Sequence, residues 1–186
     1  MSSGMRRLGP LLLAFTVVLA IGRAECPLAY HGTIENTVQK LQLDWYLVVA
    51  LIRVESKFKP TAVSEVGACG LMQLMPETAK EVASRNGLDF SHQMLFDPSY
   101  NIVVGCTYLK ELMQRYQGDE MATLAAYNAG PKWVDKWLNG SAELSGDKIA
   151  FQETRQFVRK VLFYRRLYRA LYSIPRTLFR PSTLMA

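Results

Sequence analysis

Apolar residues recur at helical spacing along most of the chain, and no stretch alternates apolar with polar residues for long enough to make a strand. The pattern predicts an all-α protein. A helix over about 43–56 carries Leu43, Leu47, Ala50 and Val54 on one stripe, with Val48, Leu51 and Ile52 beside it, so it is apolar around most of its circumference and should be central. Pro60 stops it from running further. The loop Gly67-Ala68-Cys69-Gly70 leads through Leu71 to Met75 to Pro76, a residue suited to the first turn of a second helix. Asp97-Pro98 repeats that start signal for a long helix to about Tyr116, broken by Gly118-Asp119. Shorter helices fit 120–127 and 131–138, with Asn128 to Pro131 as the turn between them. Residues 139–148 read as a polar surface loop, in which Asn139-Gly140-Ser141 matches an N-glycosylation pattern too short to carry weight. A last helix over about 152–172 interleaves Phe157, Val161, Tyr164 and Tyr168 with Arg155, Arg159, Lys160, Arg165, Arg166 and Arg169, and Pro175 ends it.

Composition narrows the class. With 186 residues, 49% hydrophobic and 20% charged, and only 3 Cys, the chain is neither disordered nor a disulfide scaffold. The net charge of +6 is unevenly placed. Arg6 and Arg7 precede an apolar stretch, Leu11 to Ile21, and Gly22-Arg23-Ala24 then fits a peptidase cleavage site before Glu25. Residues 1–24 therefore read as a secretory signal, with retention as an uncleaved anchor the alternative; the apolar core is short of the ~20 residues a spanning helix needs. Glu25 argues against a lipid on Cys26, because lipoprotein processing wants a small residue there. Removing the three arginines of this segment leaves 162 residues at +3, and the expected destination is the periplasm. The expected organisation is a signal over 1–24, one domain over 25–174 and a basic tail over 175–186. The arginines of the last helix alternate with packing aromatics, which excludes nucleic acid as the better reading.

Glu55 follows Val48 and Leu51 at helical spacing and so closes an apolar stripe at a helix C-terminus. Desolvation and the negative pole of the helix both disfavour a carboxylate there. A carboxyl kept protonated near neutral pH is what donation to a glycosidic oxygen requires, although an exposed Glu at a helix end satisfies the spacing equally well. Tyr127-Asn128-Ala129-Gly130-Pro131 places a phenol and an amide beside Trp133 and Trp137, groups that suit sugars by stacking and by hydrogen bonding, and that also suit a helix-ending turn over core aromatics. His31 and His92 have no ligand partner at helical or hairpin spacing, so no metal and no cofactor is expected.

Ala50-Leu51-Ile52-Arg53-Val54-Glu55-Ser56, then Ser64, then Gly67 to Ala79, closely resembles the catalytic domain of soluble lytic transglycosylases. Asp97-Pro98, Asn101-Ile102 with Gly105 and Tyr108-Leu109, Ala125 to Pro131, and Glu153-Thr154 before Phe157-Val158 continue the resemblance in order, over roughly Trp45 to Tyr164. It implies a small lysozyme-like helical domain acting on the glycan strands of peptidoglycan. Position by position it implies Glu55 as the single catalytic acid and base, its usual neighbour Ser56 as a substrate-binding residue, and Ser64, Gln73, Met75 and Tyr127 as cleft residues, with Tyr127 bonded to the acid. Asn128 fits either the cleft or a cap of the turn before Pro131, and Met75 rises above core filler only through the resemblance.

The same resemblance implies a reaction without water, in which a muramoyl 6-hydroxyl closes a 1,6-anhydro ring. A goose-type lysozyme is the hydrolytic rival and would need a second carboxylate, for which Glu65, Glu77 and Asp97 are candidates. A catalytically idle glycan-binding scaffold beside a secretion or conjugation apparatus is the rival from another class, and such an apparatus is also a possible partner of the enzyme. Cys69 and Cys106 are additions to the family pattern; Cys106 also fits a buried stripe with Ile102, Leu109 and Met113. Their loop and helix should be neighbours in the implied fold, so a Cys69–Cys106 disulfide is an expectation. Phe157 replaces the commoner Tyr, and the proline often seen before Glu153-Thr154 is missing.

Overall fold

A computed structural model describes residues 27–172. The expected signal, Cys26 and the tail from 175 lie outside them. Seven α-helices run in order as α1 (His31–Leu41), α2 (Trp45–Glu55), α3 (Pro76–Arg85), α4 (Pro98–Arg115), α5 (Glu120–Ala129), α6 (Pro131–Leu138) and α7 (Gln152–Tyr172), with a short 3₁₀ helix at His92–Phe96 before α4. No strand forms among the described residues.

The start signals work as their chemistry requires. Asp44, Asp97 and Asp119 each accept a bond from a free backbone N–H in the first turn of α2, α4 and α5, and Pro76, Pro98 and Pro131 fill first-turn positions where no N–H is needed. Because α2 is apolar all round, it is the central element: Leu47, Val48, Val49, Ala50, Leu51 and Ile52 are buried. It packs most extensively against α7, whose Phe157, Val158, Val161 and Tyr168 turn inward while the basic residues between them face out or pair. Helix α1 was not anticipated. It contributes Ile34 and Val38 to the core and starts from Tyr30 in the left-handed region without a side-chain cap, so it carries none of the usual start signals.

The segment between α2 and α3 folds back on itself as a compact loop. Ser64 and Gly70 donate backbone bonds to the Ala68 and Ala62 carbonyls, and Cys69 and Leu74 exchange a pair at 2.9 and 3.0 Å. Asn101 on α4, fully buried, pins this loop to the bundle. Its amide donates to the Cys69 and Leu95 carbonyls at 3.1 and 2.8 Å, and its oxygen accepts from the Met72 N–H at 2.7 Å. Gly70 must be glycine here, since it has φ +80° and a Cβ would strike the Leu95 carbonyl and the Asn101 amide. Gly105 lets Met72 lie directly on α4, where a Cβ would approach the sulfur to 2.5 Å.

Candidate active site

Helix α2 ends on Glu55 at the floor of a cleft of about 390 Å³, between the pinned loop on one side and the α5–α6 turn and the start of α7 on the other. Glu55, Ser64, Gln73, Met75, Tyr127 and Asn128 all line it, together with Val66, Ala68, Ala129, Phe151, Glu153 and Thr154. Burial pushes the Glu55 carboxyl up to about 8. Among the described residues no side chain or backbone donor bonds to it, so nothing offsets the desolvation of its charged form. The group is thus a proton donor at neutral pH, open to whatever occupies the cleft.

The surrounding side chains are fixed by bonds to the scaffold. Ser64 Oγ accepts from the Ala68 N–H at 3.0 Å. Gln73 sits in the left-handed region at φ 47° and spends its amide N–H groups on the Ala62 and Gly70 carbonyls at 3.1 and 2.8 Å, so its part is to close the loop while it faces the cleft. Met75, 40% exposed, is a cleft residue and not core filler. Asn128 does not cap the turn; its carbonyl oxygen accepts from the Thr154 hydroxyl at 2.8 Å, tying α5 to α7 within one wall of the cleft.

Three expectations are corrected. Tyr127 is buried beside Glu55, and burial, then the Glu55 charge, raises its hydroxyl well above the ordinary range; yet that hydroxyl donates to the Met72 carbonyl at 2.9 Å and not to Glu55. Ser56 is not in the cleft: it is the residue that ends α2, and its hydroxyl bonds back to the Ile52 carbonyl at 3.3 Å. Cys69 and Cys106 form no disulfide, for both are free and buried. The Cys106 thiol faces the Met72 sulfur at 4.0 Å, while the Cys69 thiol turns toward the Gly67 carbonyl at 3.3 Å and His92 Nε2 at 3.8 Å. Met72, laid on Gly105, thus packs against the Cys106 thiol.

Sequence reasoning did not place Phe151 or Glu153 in the site, although Glu153-Thr154 belonged to the motif that signalled it. None of Glu65, Glu77 and Asp97 lines the cleft; Asp97 caps α4 by accepting from the Tyr100 N–H at 2.7 Å. The second carboxylate of the cleft is Glu153. Among the described residues, no three His, Cys, Asp or Glu side chains converge as a metal ion would need.

A helical domain with one protonated carboxyl on the floor of an open polar cleft is a frame suited to proton transfer on a bound polymer. Residues 32–150 match the Transglycosylase SLT domain, more than half of the chain, and the chain belongs to that family. It is 39% identical over 151 residues to a putative soluble lytic murein transglycosylase of Haemophilus influenzae, covering 78% of this chain and 26% of the relative. Against the soluble lytic murein transglycosylase of Escherichia coli K12 it is 36% identical over 150 residues, 77% of this chain and 23% of the relative. Its structure superposes on an inactive mutant of the lytic transglycosylase Slt from Pseudomonas aeruginosa with a TM-score of 0.75 at 37% identity, covering 81% of this chain and 25% of that one. The chain spans about a quarter of the length of the relatives it matches. The fold is accordingly the all-α, lysozyme-like one that the motifs implied. No helix among the described residues is long and apolar enough to cross a membrane.

Proposed function

We propose that this protein is a peptidoglycan lytic transglycosylase that cleaves the bond between N-acetylmuramic acid and N-acetylglucosamine without consuming water. The observation that carries the reading is Glu55, whose carboxyl is raised to about 8 on the floor of a cleft that Ser64, Gln73, Met75, Tyr127 and Asn128 of the resembling motifs also line. Protonated Glu55 donates to the leaving glycosidic oxygen, and the N-acetyl carbonyl of the muramoyl residue stabilises the developing cation. The Glu55 carboxylate so formed takes the proton of the muramoyl 6-hydroxyl, whose oxygen closes the 1,6-anhydro ring. Protons balance, and the acid is restored for the next cycle. Ser64, Gln73, Met75, Tyr127 and Asn128 shape the cleft around the reacting sugars. Relatives named for murein agree with this substrate. Residues 1–24 serve as the export signal, 25–174 as the domain, 175–186 as a basic tail, and the periplasm as the place of action.

Glu153 supports a second reading. A carboxylate on the cleft wall is what hydrolysis needs to activate water, and a lysozyme-like hydrolase would use it so. Digestion of purified sacculi followed by mass measurement of the muropeptides decides between them, because hydrolysis adds the mass of water and transglycosylation does not. Anhydro products lost in Glu55→Gln sustain the proposal. Hydrated products, or full activity from Glu55→Gln, reject it.

A further inference from the structure

The aromatic lining of the cleft continues outside it. Phe151, 38% exposed, stands against two indoles of α6, with ring centroids 4.9 Å from Trp133 and 5.1 Å from Trp137 and interplanar angles of 68° and 87°. Trp137 is half-buried and braces it; Trp133, 41% exposed, extends the aromatic surface into solvent. Lys136 Nζ lies 4.6 Å from the Trp133 ring centroid, and Lys136 forms no ion pair among the described residues. The acid between them in sequence, Asp135, is turned to Arg115 at 2.7 Å. The result is an exposed aromatic ledge, held in place by its neighbours, continuous with the Glu55 cleft through Phe151 and flanked by a free cation.

Two neighbouring aromatic rings left partly in solvent, one of them lining the cleft, point to the occupant of that cleft as what covers them. A polymer lying in the cleft meets the ledge next. The axial C–H face of a pyranose is apolar and suits an aromatic surface, and an ammonium beside it suits a carboxylate. We propose that the Trp133–Phe151 ledge is an additional sugar subsite, which stacks one more pyranose of a bound strand and sets a carboxylate carried by that strand against Lys136. This rests on the glycan reading of the cleft.

The test uses the full chain carrying Glu55→Gln, so that bound strands are not turned over. Affinities are measured by calorimetry for chitin oligosaccharides of increasing length, and for peptide-free glycan strands whose muramoyl groups bear a free lactyl carboxylate. An aromatic contact of ordinary strength corresponds to a loss of roughly 3- to 10-fold on Trp133→Ala. That loss should fall on long oligomers alone, with the shortest bound as before, and Trp133→Phe should recover most of it. Lys136→Gln should weaken only the carboxylate-bearing strands, in a salt-dependent way. Equal weakening at every length, or none, overturns the subsite; equal weakening of both ligand types by Lys136→Gln overturns the carboxylate contact. If the Glu55→Gln parent binds no glycan of any kind, the glycan reading itself falls and takes the ledge with it, whereas binding with an unaltered length dependence removes the ledge alone.

Discussion

The two ends of helix α2 carry one carboxyl each, Asp44 and Glu55, and their surroundings are opposite. Asp44 caps the N-terminus, accepts from the Tyr46 N–H at 2.8 Å, and pairs with Arg165 at 2.5 Å and Arg169 at 2.9 Å from α7. Arg165 also reaches Glu120 on α5 at 2.6 Å, so three helices meet on one guanidinium. There a helix N-terminus and two guanidinium groups hold the carboxylate by hydrogen bonds. At the other end, Glu55 sits at the negative pole, with no cation or donor among the described residues, and desolvation holds its proton to about 8. The same functional group is a structural anchor at one end and a stored proton at the other. Chemistry is placed where the scaffold declines to satisfy the group.

This contrast can be broken most directly at Glu55. In Glu55→Gln the geometry is kept and the proton donor is lost, so cleavage of sacculi should fall by about 10²–10⁴-fold while glycan binding persists. Retained cleavage would show that the buried carboxyl is not the acid. Disturbing the loop that walls it should come next. Asn101→Leu removes three buried bonds and takes the partner from the Met72 N–H and the Leu95 carbonyl, while the Cys69 carbonyl keeps its bond from the Leu74 N–H, with an expected cost of about 2–4 kcal/mol in denaturant unfolding and a loss of activity on partial unfolding of the loop.

The comparison sharpens further in the pH dependence of stability. The Glu55 carboxyl binds its proton more tightly folded than unfolded, so between its ordinary value of 4.5 and about 8 the folded state holds one proton more and stability falls as pH rises. Glu55→Gln should therefore be more stable than the parent at pH 9, by up to about 5 kcal/mol, with the gap closing toward pH 4 in thermal melts. Turnover should decline on a single limb above about 8 as the donor is lost. Asp44→Ala should have the opposite sign, since a cap and two ion pairs vanish together, and should destabilise by about 2 kcal/mol at neutral pH. Arg115→Ala, which breaks a well-exposed pair with Asp135, should change stability by no more than about 0.5 kcal/mol.

Helices α2 to α6 were legible because each follows a start signal, as with Asp97-Pro98 before α4, and α7 through its apolar stripe of Phe157, Val161 and Tyr168. Helix α1 was not, because Tyr30 offers no cap and only Ile34, Thr37 and Val38 are buried along it. The 3₁₀ helix at His92–Phe96, five residues long, has too little length to show a period. Within the site, spacing left Glu55 open between a buried acid and an exposed helix end, and it was the motifs that singled it out together with Ser64, Gln73, Met75, Tyr127 and Asn128, all of which line one cleft. Phe151 carried no comparable pattern, and Glu153 belonged to the last motif without a cleft role attached to it; both stand at the junction between a loop and the first turn of α7.

One-dimensional order thus decided which faces are apolar and where a carboxyl would sit against them. Periodicity does so because burial repeats with the turn of the helix. Which faces meet depended on contacts between residues far apart in the chain: Asn101 onto Cys69 and Met72, Tyr127 onto Met72, Thr154 onto Asn128, and Arg165 onto Asp44. Those contacts sent the Tyr127 hydroxyl to a backbone carbonyl and hold the start of α7, with Glu153, at the cleft that Glu55 lines. A side chain's rotamer and partner follow from the space left after the helices have packed, and that space exists only in three dimensions.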